Sequence, residues 1–132
     1  MIGLDTNVLA RLFVDDDVEQ ARKARHFVAE HCNEENPAFV DRVALCELVW
    51  VLARTHEYRR NEIATVIQKL LSAPEIVLED ETSVRPALRD FVERGLDFAD
   101  ALIAIVNRTR GCEATATFDR KAARLDGFVH VG

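Results

Sequence analysis

The stretch that decides the fold is Met1-Ile-Gly-Leu-Asp-Thr-Asn-Val-Leu-Ala10, at the very start of the chain. Residues 2–4 form a short apolar run that is typical of a buried β-strand. They are followed by Asp5, Thr6 and Asn7, which are residue types that cap helices. A strand that passes directly into a helix is the first part of a βαβ unit. The opening therefore predicts an α/β fold.

The rest of the chain repeats this alternation of strands and helices. Further strands are predicted at 38–40, 76–78, 114–118 and 128–131, and helices at 18–32, 43–56, 61–72, 82–94 and 98–110, with a short helix at 120–125. The helix at 43–56 is apolar almost all round, which predicts a central position. Strands that alternate with helices imply right-handed crossovers and a parallel sheet covered on both faces.

Composition indicates one globular domain, spanning residues 1–132. Of the 132 residues, 48% are hydrophobic and 30% are charged, and there is no repeat, low-complexity tract or linker. The net charge of −6 argues against a protein that coats DNA nonspecifically. No apolar run approaches the ~18 residues of a membrane span, and no signal peptide precedes the first strand. A cytoplasmic protein with reduced cysteines is therefore expected.

Three apolar stretches each contain a single acid. They are the opening stretch with Asp5, residues 43–53 with Glu47, and residues 98–106 with Asp100. An unpaired carboxylate in apolar surroundings costs several kcal/mol or becomes protonated, so such acids need a partner. If the three acids converge in the fold, a divalent cation is the simplest compensation, and that would make the protein an enzyme.

Each of these acids also has a simpler interpretation. Asp5 could cap the helix after the first strand, although Thr6 and Asn7 could do so equally well. Glu47 could mark the only exposed edge of its helix or pair with a distant arginine such as Arg11.

Two further acids compete for the same roles. Asp97 and Asp100 stand three residues apart at the start of a helix, where Asp97 is the better N-cap candidate and Asp100 the better ligand. Asp119 follows a predicted strand and could either cap the next short helix or act in a site. Parallel α/β sheets place their sites at the carboxyl ends of strands, where Asp5 and Asp119 are predicted to lie.

The remaining motifs narrow the chemistry. The histidines and cysteines lack zinc-ligand spacing, and there is no Walker sequence and no GxGxxG. Carboxylate, hydroxyl and amide oxygens remain, and this ligand set selects Mg²⁺ or Mn²⁺. A basic group near the C-terminus is either a solvated face or a phosphate contact; its members are Arg108, Arg110, Arg120, Lys121 and Arg124.

Four motifs together resemble the PIN-domain family, and more narrowly the VapC toxins of bacterial toxin–antitoxin pairs. The motifs are Ile2-Gly-Leu-Asp-Thr-Asn-Val-Leu9, Cys46-Glu-Leu-Val-Trp-Val-Leu52, Asp97-Phe-Ala-Asp-Ala-Leu-Ile-Ala104 and Thr115-Ala-Thr-Phe-Asp119. Any one of them is weak, but four in the family's order and spacing cover nearly the whole chain.

The resemblance implies a metal-dependent ribonuclease on a three-layer α/β/α sandwich with a central, mostly parallel sheet. The implied catalytic acids are Asp5, Glu47, Asp100 and Asp119. Mg²⁺, with Mn²⁺ as a substitute, is expected on Asp5 and Asp100, with Asp97 and Asp119 as further possible ligands. Thr6, Asn7 and Thr117 are expected to orient the substrate.

The resemblance also implies partners. They are an RNA substrate, a cognate antitoxin whose arginine would take the metal's place, and a second copy of the chain in a homodimer, with no membrane involved. Two alternatives stay open: a haloacid-dehalogenase-like phosphatase, and a catalytically inactive PIN-like module that binds RNA or protein. The phosphatase chemistry needs a second acid where Asn7 stands.

Overall fold

Each of the first three strands is followed by a helix that begins two or three residues after the strand ends, as the opening stretch predicts. The computed structural model describes all residues from Met1 to Gly132. By its internal contacts the chain divides into two compact units, Met1–Glu81 and Thr82–Gly132. None of the helices is both long enough and apolar enough to span a bilayer.

The first unit contains a three-stranded parallel sheet with the strand order β1-β2-β3. Its elements are β1 (Ile2–Gly3), α1 (Thr6–Arg11), α2 (Val18–His31), β2 (Ala38–Val40), α3 (Arg42–Arg54), α4 (Arg60–Ser72) and β3 (Ile76–Leu78). The register pairs Ile2 with Ala38 and Ala38 with Ile76, so β2 lies in the middle. All three strands therefore end at the same edge of the sheet.

The second unit contains a two-stranded parallel sheet. Its elements are α5 (Glu81–Glu93), α6 (Phe98–Thr109), β4 (Thr115–Thr117), a short 3-10 helix (Ala122–Arg124) and β5 (Phe128–His130). Gly95 and Gly111 follow α5 and α6 with φ angles of 70° and 92°. Glycine adopts this left-handed conformation without a steric penalty, which explains why both helices end there.

The predicted α/β class, with parallel strands flanked by helices, is confirmed. Element ends differ from the predicted ones by one or two residues, because fraying and caps set them. That the chain forms one single domain stays a prediction.

Helix α3 corrects one expectation. Its buried residues are Ala44, Leu45, Leu48, Val49 and Leu52, so one side of the helix packs inward. The opposite side is open to solvent, with Val43 69% and Trp50 61% exposed. The predicted central position is therefore wrong in that only one side of the helix is covered, because apolar residues continue onto the solvent side and hide the boundary between the two faces. Glu47 lies on that exposed side.

Candidate active site

Asp5 follows strand β1 and caps helix α1. Its extended backbone (φ −81°, ψ 171°) directs Oδ1 at the backbone N–H of Val8, which donates to it over 2.9 Å. The cap occupies one carboxylate oxygen and leaves Oδ2 for another ligand. The side chain is exposed, and with Asn7 it lines a surface cleft of about 600 Å³ beside helix α2. The capping and ligand roles of Asp5 are therefore compatible.

Glu47 is held by a residue that is 41 positions away in sequence. The hydroxyl of Thr6 donates to Glu47 Oε1 over 3.2 Å, because helices α1 and α3 pack together. The alternative pairing of Glu47 with Arg11 is wrong, since the Arg11 guanidinium binds Asp16 and Gln20 instead. Thr6 thus orients one oxygen of Glu47 and leaves Oε2 free to act on a proton. Residue patterns predicted both positions but gave no signal for their hydrogen bond.

Arginines neutralise other acids of the first unit. Arg42 is the first residue of helix α3. Its guanidinium lies 3.6 Å from Glu79 and 3.7 Å from Asp80, which both follow strand β3. The Arg42 backbone N–H also donates to Glu79 Oε1 over 2.9 Å. Asp5 and Glu47 have no salt-bridge partner. Their negative charge is therefore available to an external cation.

Asp97 has the capping role predicted for it, and the ligand role of Asp100 stays a prediction. Asp97 caps helix α6, with its Oδ2 accepting from the Asp100 backbone N–H over 3.3 Å. Asp100 lies one turn into the helix. Its pKa is raised above the ordinary value of 3.8, first by partial burial and then by the nearby charges of Asp97 and Asp119. A cation bound at this group would relieve that repulsion and lower the pKa of Asp100.

Asp119 is fixed just beyond strand β4 by hydrogen bonds on both sides. Its backbone N–H donates to the Thr117 hydroxyl over 3.0 Å, which gives Thr117 a positioning role. Its Oδ1 accepts from the backbone N–H groups of Lys121 and Ala122 over 2.8 and 3.2 Å. Asp119 therefore combines a turn-stabilising role with a second oxygen that stays available.

The site residues correct the expectation of buried acids. Asp5, Glu47, Asp97, Asp100 and Asp119 are all exposed, each on the solvent side of its element. Since these residues are exposed, with only Asp100 partly buried, the structure does not require a metal to compensate for buried charge. In neither unit do three His, Cys, Asp or Glu side chains group closely enough to hold a metal ion.

The basic group near the C-terminus is in fact two groups. Asn107 Nδ2 donates to Thr115 Oγ1 over 3.0 Å, so the end of α6 lies beside the start of β4. Arg108 and Arg110, at the end of α6, therefore lie near the start of strand β4. Arg120, Lys121 and Arg124 follow its other end. Strand β4 separates the two groups.

Comparison with known proteins places these features in a family. A model of the PIN domain family matches residues 2–128. The chain is also similar to a VapC ribonuclease of Aquifex aeolicus (strain VF5), with 26% identity over 128 residues, which covers 97% of this chain and 93% of the relative. The family match includes every candidate acid of both units. The chain therefore belongs to the PIN domain family.

Proposed function

We propose that this protein is a ribonuclease toxin of a toxin–antitoxin pair, and that it hydrolyses RNA phosphodiester bonds with Mg²⁺ or Mn²⁺. The observation that carries the proposal is a set of carboxylates that no arginine neutralises, in a chain of the PIN domain family. Among them, the side chains of Asp5 and Asp119 accept from backbone N–H groups, and Glu47 accepts from a hydroxyl. The likeness to a VapC ribonuclease supports the substrate class. It favours the nuclease over the phosphatase alternative.

The donor set fits a hard divalent cation. Asp5 and Asp100 would hold the ion, with Asp97 and Asp119 as further ligands, and all four supply only oxygen. Burial raises the pKa of Asp100 most, and the nearby charges of Asp97 and Asp119 raise it further; a cation would balance those charges, which supports this assignment. The chemistry that Mg²⁺ supplies when bound is Lewis-acid polarisation of a phosphate oxygen and a lowered pKa of water.

The protein's own groups handle the proton and the geometry. Glu47 would accept the proton of the attacking water through Oε2, while the Thr6 hydroxyl keeps Oε1 in place. Asn7, exposed beside Asp5, would contact the substrate. Attack by water would leave a 5′-phosphate and a 3′-hydroxyl, so the RNA 2′-hydroxyl has no role in bond breaking. Selection for RNA would then rest on shape and on 2′-hydroxyl contacts.

Partner binding is the second component of the proposal. A groove of about 560 Å³ is lined by residues of α2 and α4, including Val28, Cys32 and Leu70. Its apolar walls suit a segment of an antitoxin, and an antitoxin arginine would pair with the unneutralised acids. The exposed Val43 and Trp50 of α3 support a contact with a second copy of the chain. The cytoplasm, which supplies RNA substrates, is the proposed compartment.

Two experiments test the catalytic proposal. Purified protein should cleave RNA with Mg²⁺ or Mn²⁺ and stop when EDTA is added. Cleavage in EDTA, or none with any divalent ion, would contradict it, and the second result would favour an inactive binding module. Independently of activity, calorimetric titration with Mn²⁺ should show binding that either Asp5→Asn or Asp100→Asn abolishes. Loss in only one variant would mean that the two acids do not share an ion.

The partner proposal has its own measurement. Size-exclusion chromatography with light scattering, over a range of concentrations, should show a dimer that Trp50→Ala shifts towards monomer. A monomer at all concentrations would contradict the homodimer.

A further inference from the structure

Phe118 is the most exposed large apolar side chain of the protein, at 79%. It stands directly between Thr117 and Asp119, beyond the end of strand β4. Folding does not explain this position, because an exposed phenyl ring contributes little burial. Single exposed apolar residues are common on protein surfaces, so exposure alone assigns no role. The surroundings of the ring supply the further observations.

The backbone on both sides of Phe118 is fixed. The Thr117 hydroxyl accepts from the Asp119 N–H over 3.0 Å, and the Thr117 carbonyl accepts from the Val131 N–H over 2.8 Å. Asp119 in turn accepts from Lys121 and Ala122. The ring is therefore presented by a rigid turn. A ligand that contacts it has little backbone ordering to impose.

The basic residues that follow Phe118 in the chain are unpaired. Arg120, Lys121 and Arg124 follow it within six residues, all are exposed, and none forms a salt bridge. Asp119 is the single acid between residues 118 and 124. Exposed cationic residues that follow an exposed aromatic residue closely in the chain match the recognition pattern for single-stranded nucleic acid, in which bases stack and phosphates pair.

We propose that Phe118 stacks against a nucleobase of a single-stranded RNA substrate, and that Arg120 and Lys121 contact its phosphates. This inference rests on the ribonuclease function proposed above. Asp119, one of the candidate acids, is the next residue in the chain, so a base bound at Phe118 would lie close to the backbone that carries it. Phe118 is thus a substrate-positioning residue. Since every base has a π face, it selects unpaired RNA rather than a particular sequence.

The test is RNA binding in EDTA, measured by fluorescence anisotropy with labelled single-stranded oligonucleotides of mixed sequence. Phe118→Ala should weaken binding about 5- to 100-fold, the loss expected for one base–aromatic stack. Phe118→Leu keeps an apolar side chain without a π face and should weaken binding nearly as much. Phe118→Tyr should bind like the wild type. Val92→Ala removes another exposed apolar side chain of the same unit (59%) and should change nothing.

The basic residues have a matched pair of variants. Lys121→Ala should reduce the dependence of log Kd on log salt by about 0.7, the value for one phosphate contact to a single strand. Arg110→Ala removes the same charge beyond the other end of β4 and should leave the salt slope almost unchanged. Equal effects of the two variants would mean that only net charge matters, and would overturn the phosphate contact.

The outcomes separate this proposal from the function on which it rests. If the wild type cleaves RNA but Phe118→Ala binds it equally well, the stacking role is wrong and the ribonuclease stands. If Phe118→Ala changes only the oligomeric state in solution, the ring contacts a second copy and the stacking role is again wrong. If the wild type neither binds nor cleaves RNA, both proposals fail together.

Discussion

The two units of the protein differ in how they use charge. Residues 1–81 contain nine basic and sixteen acidic side chains, a net charge of −7, whereas residues 82–132 contain eight basic and seven acidic ones, a net charge of +1. In the first unit, Arg11, Arg22, Arg25 and Arg42 all form salt bridges. In the second, the five basic residues from Arg108 to Arg124 form none.

This contrast indicates which groups are available to ligands. Paired acids and paired arginines mainly satisfy one another, and exposed pairs of this kind contribute little stability. Groups left over are the ones that can bind something else. In the first unit these groups include Asp5, whose charge suits a cation, and Glu47, whose carboxylate can accept a proton. In the second they include Arg120 and Lys121, which suit phosphate. The following variants test that division, starting with the largest expected effect.

Asp5→Asn should abolish RNA cleavage, by at least about 100-fold, while the protein stays folded. Asparagine is as good an N-cap as aspartate but lacks the charge that holds a divalent ion. Single-turnover cleavage and thermal melting measure the two properties. Asp17→Asn is the matched control, because Asp17 also caps a helix, accepting from Gln20 over 3.0 Å. Equal losses in both variants would mean that capping, and not metal binding, explains the effect.

Glu47→Gln should lower the cleavage rate about 100-fold, the contribution of a positioned general base at the low end of its range. Thr6→Val removes the hydroxyl that orients Glu47 and should lower the rate about 10-fold, as loss of a supporting hydrogen bond does. Thr6→Ser retains the hydroxyl and should stay near the wild-type rate.

The double variant is the sharper measurement. Because Thr6 acts through Glu47, adding Thr6→Val to Glu47→Gln should have little further effect on the rate. Fully multiplicative effects would show that the two residues act independently.

Asp100→Asn should raise the free energy of unfolding at neutral pH by roughly 0.2 to 0.5 kcal/mol, the size of a like-charge pair at helical spacing. The folded-state pKa of Asp100 lies above its unfolded value, so the ionised form opposes folding at pH above both. That penalty shrinks as pH falls through the folded pKa and disappears below the unfolded one.

Urea unfolding of wild type and Asp100→Asn at pH 7 and below about pH 3.5 would measure this difference. Asp90→Asn is the control with the opposite environment, since Asp90 lies 3.5 Å from the Arg94 guanidinium. The Asp90→Asn variant should have the same free energy of unfolding as the wild type, or a slightly lower one. An Asp100→Asn gain that persists unchanged in acid would contradict the charge explanation.

Arg42→Met should have the smallest effect, a loss of about 0.5 kcal/mol or less that disappears in high salt. The side chains of Arg42 and Glu79 are 39% and 38% exposed, so water already screens the pair. The variant should nevertheless leave Glu79, which follows strand β3, without its arginine partner. Weak additional Mn²⁺ binding in calorimetry would show this, and unchanged binding would mean that neutralisation does not decide where a cation binds.

Much of the fold could be predicted from sequence because its signals are local. Strands β2 and β3 were predicted to the residue, since short apolar runs between polar residues leave little choice. The predicted ends of α5 and α6, at residues 94 and 110, each directly precede a glycine, Gly95 or Gly111, and lie within one residue of the observed ends. The role of α3 could not be predicted, because Val43 and Trp50 are apolar yet face solvent. Periodicity cannot reveal an exposed apolar face when both faces look alike.

In the candidate site, too, contacts between neighbours in sequence could be predicted, and contacts between distant residues could not. The capping of α6 by Asp97 followed from spacing alone. The bond between Thr6 and Glu47 joins residues 41 apart, and only the packing of two helices creates it. The separation of Arg108 from Arg120 likewise depends on the reversal of direction between α6 and β4, which composition does not encode.

If the protein is the toxin proposed above, the cap made by Asp5 has a genetic consequence. An aspartate codon becomes an asparagine codon through one base change, and the resulting helix would still be capped. Cells that survive overexpression of the gene should therefore often carry full-length, well-folded protein with Asn at this position.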